Sequence, residues 1–279
     1  MSTQKLLIIG QGDIGLPVTN KLAQDNLSVT GLARSERGHY QLDDNATFMQ
    51  ADALTLTAEQ LQAFTRIAII VTPDEYSTSG YNDSYLSICQ HLATLASELT
   101  NLERVVFISS TGIYGQNKGE WIDEHTAPVT PERDASKIIL QAEQALQQRF
   151  GNKAIIIRPS GIYGRERLMR LRKAKEAQKE PIAAEDWSNR IMDRDLVTII
   201  INVLTIDTAK SLYIATDYAP VTTLELTTWL SEQVGETLPE VEDKKTAVTG
   251  KRLHSNIPLA WLTYPDWQVG YQDILHHQE

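Results

Sequence analysis

An α/β fold, a doubly wound parallel sheet with a smaller C-terminal lobe, is the class this sequence predicts, and three observations carry the prediction. Short apolar runs rich in Val, Ile and Leu alternate with helix-period segments through residues 1–165, the pattern of a parallel sheet covered by helices on both faces. The first run leads straight into a glycine-rich turn that opens a helix. The chain has 279 residues, 42% hydrophobic and 22% charged, enough for a sizeable core and too apolar for whole-chain disorder.

The strands are expected at 5–9, 28–32, 47–50, 66–71, 104–108 and 153–158. Apart from 47–50, Thr-Phe-Met-Gln, these are short runs rich in Val, Ile and Leu. Helices are expected between them at 14–24, 58–64, 83–99 and 132–150. Thr57 with Gln60 makes a capping box for the second helix, and Gly151 is a stop for the fourth. The polar stretches 72–82 and 115–130 each follow a strand. Segments after the carboxyl ends of strands form the ligand crevice of an open α/β sheet, so function is sought there. After Gly164 the pattern loosens into helices near 168–178 and at 194–204, a strand at 211–215 and a helix at 223–234, with 240–250 a polar connection. The expected division is a cofactor domain over 1–165 and a lobe over 166–279, interleaved with the first and not independent.

Composition excludes several function classes. The net charge of −10 argues against a general nucleic-acid binder, which needs clustered Lys and Arg to release counterions. Apolar runs such as 67–71 fall far short of the roughly 20 residues that span a bilayer. The first residues lack the pattern of a secretory leader, so a cytoplasmic location is expected. Cys89 stands alone and closes no intrachain disulfide, and no Cys/His cluster has metal-ligand spacing.

The chemistry begins at Gly10-Gln11-Gly12-Asp13-Ile14-Gly15, a G-x-G-x-x-G placed between a strand and a helix. One glycine serves the tight turn, one the approach of backbone to a pyrophosphate, and one the packing of helix on strand. A Rossmann-type dinucleotide site follows from that context, with Thr72 and Pro73 after the fourth strand on its far side. An acid at the end of the second strand would accept hydrogen bonds from both ribose hydroxyls of NAD. Here Ala33 stands in that place, followed by Arg34 and Ser35, donors suited to a 2′-phosphate. NADP is therefore favoured; Glu36 keeps NAD open, and Arg34 could also be a solvated loop residue. Asp52 suits an adenine amino group or, equally, a turn before a helix.

Two further segments bring a resemblance. Phe107-Ile108-Ser109-Ser110-Thr111-Gly112-Ile113-Tyr114-Gly115 and Arg158-Pro159-Ser160-Gly161-Ile162-Tyr163-Gly164 resemble, respectively, the serine segment and the nicotinamide-lining segment of the extended short-chain dehydrogenase/reductase family, the NAD-dependent epimerase/dehydratase group. Weaker likenesses are 189–196 to a turn into a late helix, and 251–256 with 261–270 to the C-terminal tail of an atypical branch. The resemblance implies Ser110 at the active-site serine, Ser109, Pro159 and Ser160 at the cofactor, and Lys137 at the nicotinamide ribose.

The departure is as informative. The family's redox members carry Tyr-x-x-x-Lys on the helix after the serine loop, and here Arg133 holds the tyrosine position while Lys137 is in place. A guanidinium stays protonated and cannot accept a proton. The glycines also follow the shorter spacing. Substitute acid/base groups are Tyr114 and Tyr163, or Asp123 and Glu124; each also has a packing or capping role open to it. Of the histidines, His39, His91, His254, His276 and His277 suggest no triad or chelate, and His125 lies in the crevice loop. Between Arg165 and Lys179 stand seven basic and two acidic residues, either a site for a small anionic substrate such as a nucleotide-linked sugar or a solvated helix face. The sequence thus supports an NADP-binding oxidoreductase or epimerase/dehydratase-like enzyme, monomeric or homodimeric. The alternative is a dinucleotide sensor or scaffold without turnover.

Overall fold

The computed structural model describes residues 4–36, 41–175, 181–242 and 247–277. His39, Lys179, the end of the helix expected at 168–178 and part of the 240–250 connection lie outside the described residues. In chain order the elements are β1 (Lys5–Ile9), α1 (Gly15–Gln24), β2 (Ser28–Ala33), β3 (Thr47–Gln50), α2 (Ala58–Leu61), β4 (Arg66–Ile69), α3 (Thr78–Tyr81), α4 (Ser87–Thr94), β5 (Arg104–Ile108), β6 (Glu120–Ile122) and α5 (Asp134–Phe150). There follow β7 (Ala154–Pro159), β8 (Gly161–Tyr163), α6 (Met169–Lys175), β9 (Asp186–Ser188), β10 (Arg190–Met192), α7 (Asp193–Thr205), β11 (Leu212–Ala215), β12 (Val221–Thr222), α8 (Thr223–Val234), β13 (Thr249–Leu253) and α9 (Trp267–His276).

A seven-stranded sheet carries the order β11-β7-β5-β4-β1-β2-β3. The ladders from β3 through β7 are parallel. Strands buried on both faces must be apolar throughout; Leu6, Ile8, Ile67, Ile69, Val106 and Ile156 are accordingly sealed from solvent. Order reverses on either side of β1, because β2 and β3 lie to one side and β4, β5 and β7 to the other. The carboxyl end of that strand is the topological switch point, where open α/β sheets bind ligands.

The chain divides into two compact units. The first comprises Met1–Ile113, Thr130–Arg158 and Leu196–Tyr213; the second comprises Tyr114–Val129, Pro159–Asp195 and Ile214–Glu279. From Leu196 onward α7 belongs to the first unit, while its first three residues and the 114–129 segment belong to the second.

Several elements differ from expectation for local reasons. In place of one helix over 83–99, the chain runs α3, a wide π turn over Asn82–Leu86, and α4. It starts early because Ser77 caps α3, its Oγ accepting from the Gly80 amide at 3.1 Å. It ends early because Thr94 Oγ1 donates to the His91 carbonyl at 2.7 Å, and the next amides turn back to i−3 carbonyls. β4 stops at Ile69, although the Ile70 amide still donates to the Ile9 carbonyl at 2.8 Å. The Thr57 capping box and the positive-φ stop at Gly151 are both present, with α2 ending at Leu61.

In the second unit, β12-β9-β13-β6 make one small sheet and β10-β8 another. Its strands are two to five residues long, too short to leave a period-2 signature. Arg252 on β13 lies between the Trp121 and Trp187 rings, 5.0 and 4.8 Å from their centroids. The buried Asp195 carboxylate accepts the Thr263 and Tyr264 amides, each at 2.9 Å, tying the segment before α9 to the start of α7. Among the described residues no helix is long and apolar enough to cross a membrane.

Candidate functional site

The glycine turn after β1 is built from three glycines with three different physical reasons. Gly10 has φ +99°, and a Cβ there would come within 2.0 Å of the Ile70 carbonyl oxygen. At Gly15 a Cβ would come within 1.9 Å of the Gly10 carbonyl oxygen. The fold itself requires both. At Gly12 a Cβ would meet nothing within 4 Å among the described residues; its absence leaves backbone open to a ligand without being needed by the fold. α1 starts with no side-chain cap and no acid in its first turn, so its amides and the positive end of its dipole stay available to an anion.

Gln11 folds back over Gly31, where a Cβ would strike it at 2.7 Å. Its Nε2 donates to the Ile8 and Gly10 carbonyls at 3.0 and 3.2 Å. Its Oε1 is buried and has no partner among the described residues, an acceptor that a ligand hydroxyl would satisfy.

A cavity of about 690 Å³ opens at this place, lined by the residues that follow β1, β2, β3 and β4 and within the size range of small-molecule sites. Of the residues singled out in the sequence, Gly10, Gly12, Arg34, Ser35, Asp52 and Thr72 line it. Asp13, Ile14, Gly15, Pro73, Ser109 and Lys137 belong to the same unit and do not line it; Pro159 and Ser160 belong to the second unit. Asp74, Asp83 and Ser84 line it as well; their only sequence signal is position in or beside a polar stretch after a strand. Arg34 Nη2 contacts both carboxylate oxygens of Asp74, at 2.6 and 2.7 Å. Asp52 Oδ1 accepts the Leu54 amide at 2.9 Å, capping the short turn that follows. The open Gly12, the uncapped α1 and the unsatisfied Gln11 oxygen together fit the phosphates and a ribose of a dinucleotide.

The catalytic candidates divide between the two units, Ser110 and Lys137 in the first and Tyr114 and Tyr163 in the second. Ser110 is half-buried and its Oγ accepts the Gly112 amide at 3.0 Å. A Cβ on Gly112 would lie 3.1 Å from that Oγ and 3.3 Å from the Ser136 Oγ, so the missing side chain leaves both hydroxyls room. Lys137 Nζ bonds Asp134 Oδ1 at 2.8 Å, one turn along α5, and that ammonium holds the Asp134 carboxyl below its ordinary range. Arg133 is exposed and precedes the helix. Ser109 is buried and its hydroxyl donates to Glu143, which also accepts from Arg158 Nε and Nη2 at 2.9 and 2.6 Å. No helical-period reading would find Glu143, because it occupies the buried stripe of α5 beside Ala142 and Leu146.

Tyr114 and Tyr163 belong to the second unit and are 1% and 2% exposed. Tyr163 stacks on Tyr271 at 4.5 Å, and burial pushes its phenol far up, away from the range of a base at neutral pH. The Tyr114 carbonyl accepts from Lys251 Nζ at 2.5 Å. Ser160 Oγ bonds Thr216 Oγ1 at 3.0 Å. Asp123 caps its own turn, accepting the Thr126 hydroxyl at 2.6 Å and the His125 amide at 3.1 Å. In the first unit Tyr81 and Tyr85 stack at 5.6 Å. Burial raises both phenols, Tyr85 to about 12, while the Arg133 charge pulls Tyr81 back down. His91 Nε2 lies 2.8 Å from the Leu56 carbonyl, a packing role. On α6, Leu171 and Ala174 are buried while Arg172, Lys173 and Lys175 are exposed. Among the described residues no group of His, Cys, Asp and Glu could hold a metal ion.

The model of the NAD dependent epimerase/dehydratase family matches residues 6–197. A solved structure from Methylobacillus flagellatus, described as an NAD-dependent epimerase/dehydratase, is 31% identical, with a TM-score of 0.78 over 99% of this chain and 98% of that one. UDP-glucuronic acid 4-epimerase from Bacillus cereus, solved with NAD, shares the fold at 16% identity, TM-score 0.74, over 99% of this chain and 100% of that one. Protein YeeZ of Escherichia coli strain K12 is 24% identical over 166 residues, 58% of this chain; the match spans 60% of the length of that relative.

Proposed function

Because the chain belongs to the NAD dependent epimerase/dehydratase family, we propose that the cavity of its first unit binds a nicotinamide adenine dinucleotide and that the protein is an epimerase/dehydratase-like oxidoreductase. The observation that carries this reading is Gly12, open at the floor of the cavity between two glycines that the fold itself requires. The pyrophosphate would lie over Gly12 and the start of α1, and a ribose hydroxyl would donate to Gln11 Oε1. NADP is the form we favour, from Arg34 and Ser35; NAD is the alternative. When bound, the nicotinamide would supply hydride transfer. Ser110 would orient a substrate carbonyl or hydroxyl, and Lys137 would leave Asp134 to bind the nicotinamide ribose. The substrate class is a small anion such as a nucleotide-linked sugar, a reading supported by the exposed cations of α6 and by the family. The cytoplasm suits the single buried thiol of Cys89.

Gly12→Ala tests the site. The variant is expected to melt within about 2 °C of the parent, since the new methyl meets no atom of the described residues, and to lose at least about tenfold in NADPH and NADH affinity by fluorescence titration. Absence of saturable binding to the parent overturns the reading, as does unchanged affinity in the variant.

The second reading, a dinucleotide sensor without turnover, is favoured by Arg133 in the place of a proton-accepting phenol. Incubation with NADPH and a panel of sugar nucleotides and small ketones separates the two. Turnover that Ser110→Ala lowers by about a hundredfold or more supports the enzyme; binding without product under every condition supports the sensor.

A further inference from the structure

Among the described residues one cation, Arg34, lines the cavity, and it is already engaged. Arg34 leaves the end of β2 and Asp74 follows β4, and these strands flank β1 in the sheet, so their ion pair spans the carboxyl end of β1 beside the glycine turn. Arg34 Nη2 is 2.6 and 2.7 Å from the two Asp74 oxygens, and the side chains are 61% and 63% exposed. Both residues line the cavity, as does Asp52. The Arg34 carbonyl is held separately, accepting from Gln50 Nε2 at 3.2 Å, so the guanidinium can change partner while its backbone stays anchored.

We propose that Asp74 is a specificity-determining residue, competing with the 2′-phosphate of an adenine dinucleotide for Arg34 and so setting the preference between phosphorylated and unphosphorylated cofactor. The inference rests on the dinucleotide reading of this cavity. Arg34 gives its Nη2 to both carboxylate oxygens of Asp74, and the same donor cannot serve a phosphate at the same time. An exposed arginine–carboxylate pair is weak, and a phosphate near charge −2 displaces it. The displaced carboxylate, held on the loop after β4, then stands as a like charge near the phosphate. A cofactor with a free 2′-hydroxyl faces neither cost and leaves the ion pair intact.

Asp74→Asn removes the competitor and its charge while keeping the side-chain shape. Titration of the full chain with NADPH and NADH at one ionic strength is expected to shift the affinity ratio about three- to fivefold toward NADPH. In an Arg34→Ala background the same substitution is expected to shift the ratio less than about twofold. An unchanged or reversed ratio in Asp74→Asn, with NADH still bound, overturns the competition while leaving the dinucleotide reading standing. A full shift that persists without Arg34 also overturns it, because the effect would then be charge repulsion alone. Failure of the parent to bind either dinucleotide overturns the reading of the cavity and this inference with it.

Discussion

Glu143→Ala is expected to destabilise the first unit by about 3–5 kcal/mol in chemical denaturation, the cost of taking one ion out of a buried ion pair. Glu143 is 1% exposed and Arg158 7% exposed, and two hydrogen bonds, from Nε at 2.9 Å and from Nη2 at 2.6 Å, join the guanidinium to both carboxylate oxygens. The Ser109 hydroxyl donates to the same carboxylate. These contacts fasten the residue after β5, the middle of α5 and the end of β7 to one point, next in sequence to Ser110. Glu143→Gln keeps an acceptor but no charge and should fall between the parent and Glu143→Ala. Replacing both ions, Glu143→Leu with Arg158→Met, should recover most of the loss, because it removes both buried charges together. A cost below about 1 kcal/mol for Glu143→Ala would show that the three elements are held together without the ion pair.

The contrast between the glycines of the turn at 10–15 and Glu143 explains what the sequence made legible. β1 and β5 lie where their apolar runs put them, because strands buried on both faces admit only such residues; β3, at the edge of the sheet, carries no fully buried residue. The turn at 10–15 was readable because two of its glycines answer to backbone collisions that any side chain would create. The short strands of the second unit had no such signature; β9 and β10 take three residues each, and their partners come from distant segments such as 249–253 and 161–163. The π turn over Asn82–Leu86 was equally hidden, since helical periodicity does not distinguish it from α-helix. Within the site, Arg34 and Asp52 could be placed from their positions after strands. Arg34's engagement with Asp74 could not, because it joins residues 40 apart through the sheet order. Glu143 is the opposite case, a charge standing in an apolar stripe whose partner, Arg158, is supplied only by tertiary packing.

Asp217→Asn should make the protein more stable at pH 8 than the parent, an unusual sign for changing a buried residue. Asp217 is 1% exposed, its Oδ1 accepts the Ala219 amide at 3.1 Å, and its Oδ2 has no partner among the described residues. Burial is the main cause that pushes its carboxyl up to about 8; the Ala219 amide and Arg190 pull it down, while Asp266 and Asp195 push it further up. In the unfolded chain the same group titrates near about 4. Between those two values the folded state keeps a proton that the unfolded state has released, so stability falls as pH rises from about 4 and the full penalty is present above about 8. Asparagine has the shape of the protonated acid, retains an oxygen for the Ala219 amide and does not titrate. Its advantage should be near zero at pH 4, grow through neutrality and reach on the order of several kcal/mol above pH 8. Thermal melts of both proteins from pH 5 to 9 would measure it. Parallel curves would mean that Asp217 ionises inside the fold as readily as in water, and that Arg190, buried beside it, neutralises the charge in full.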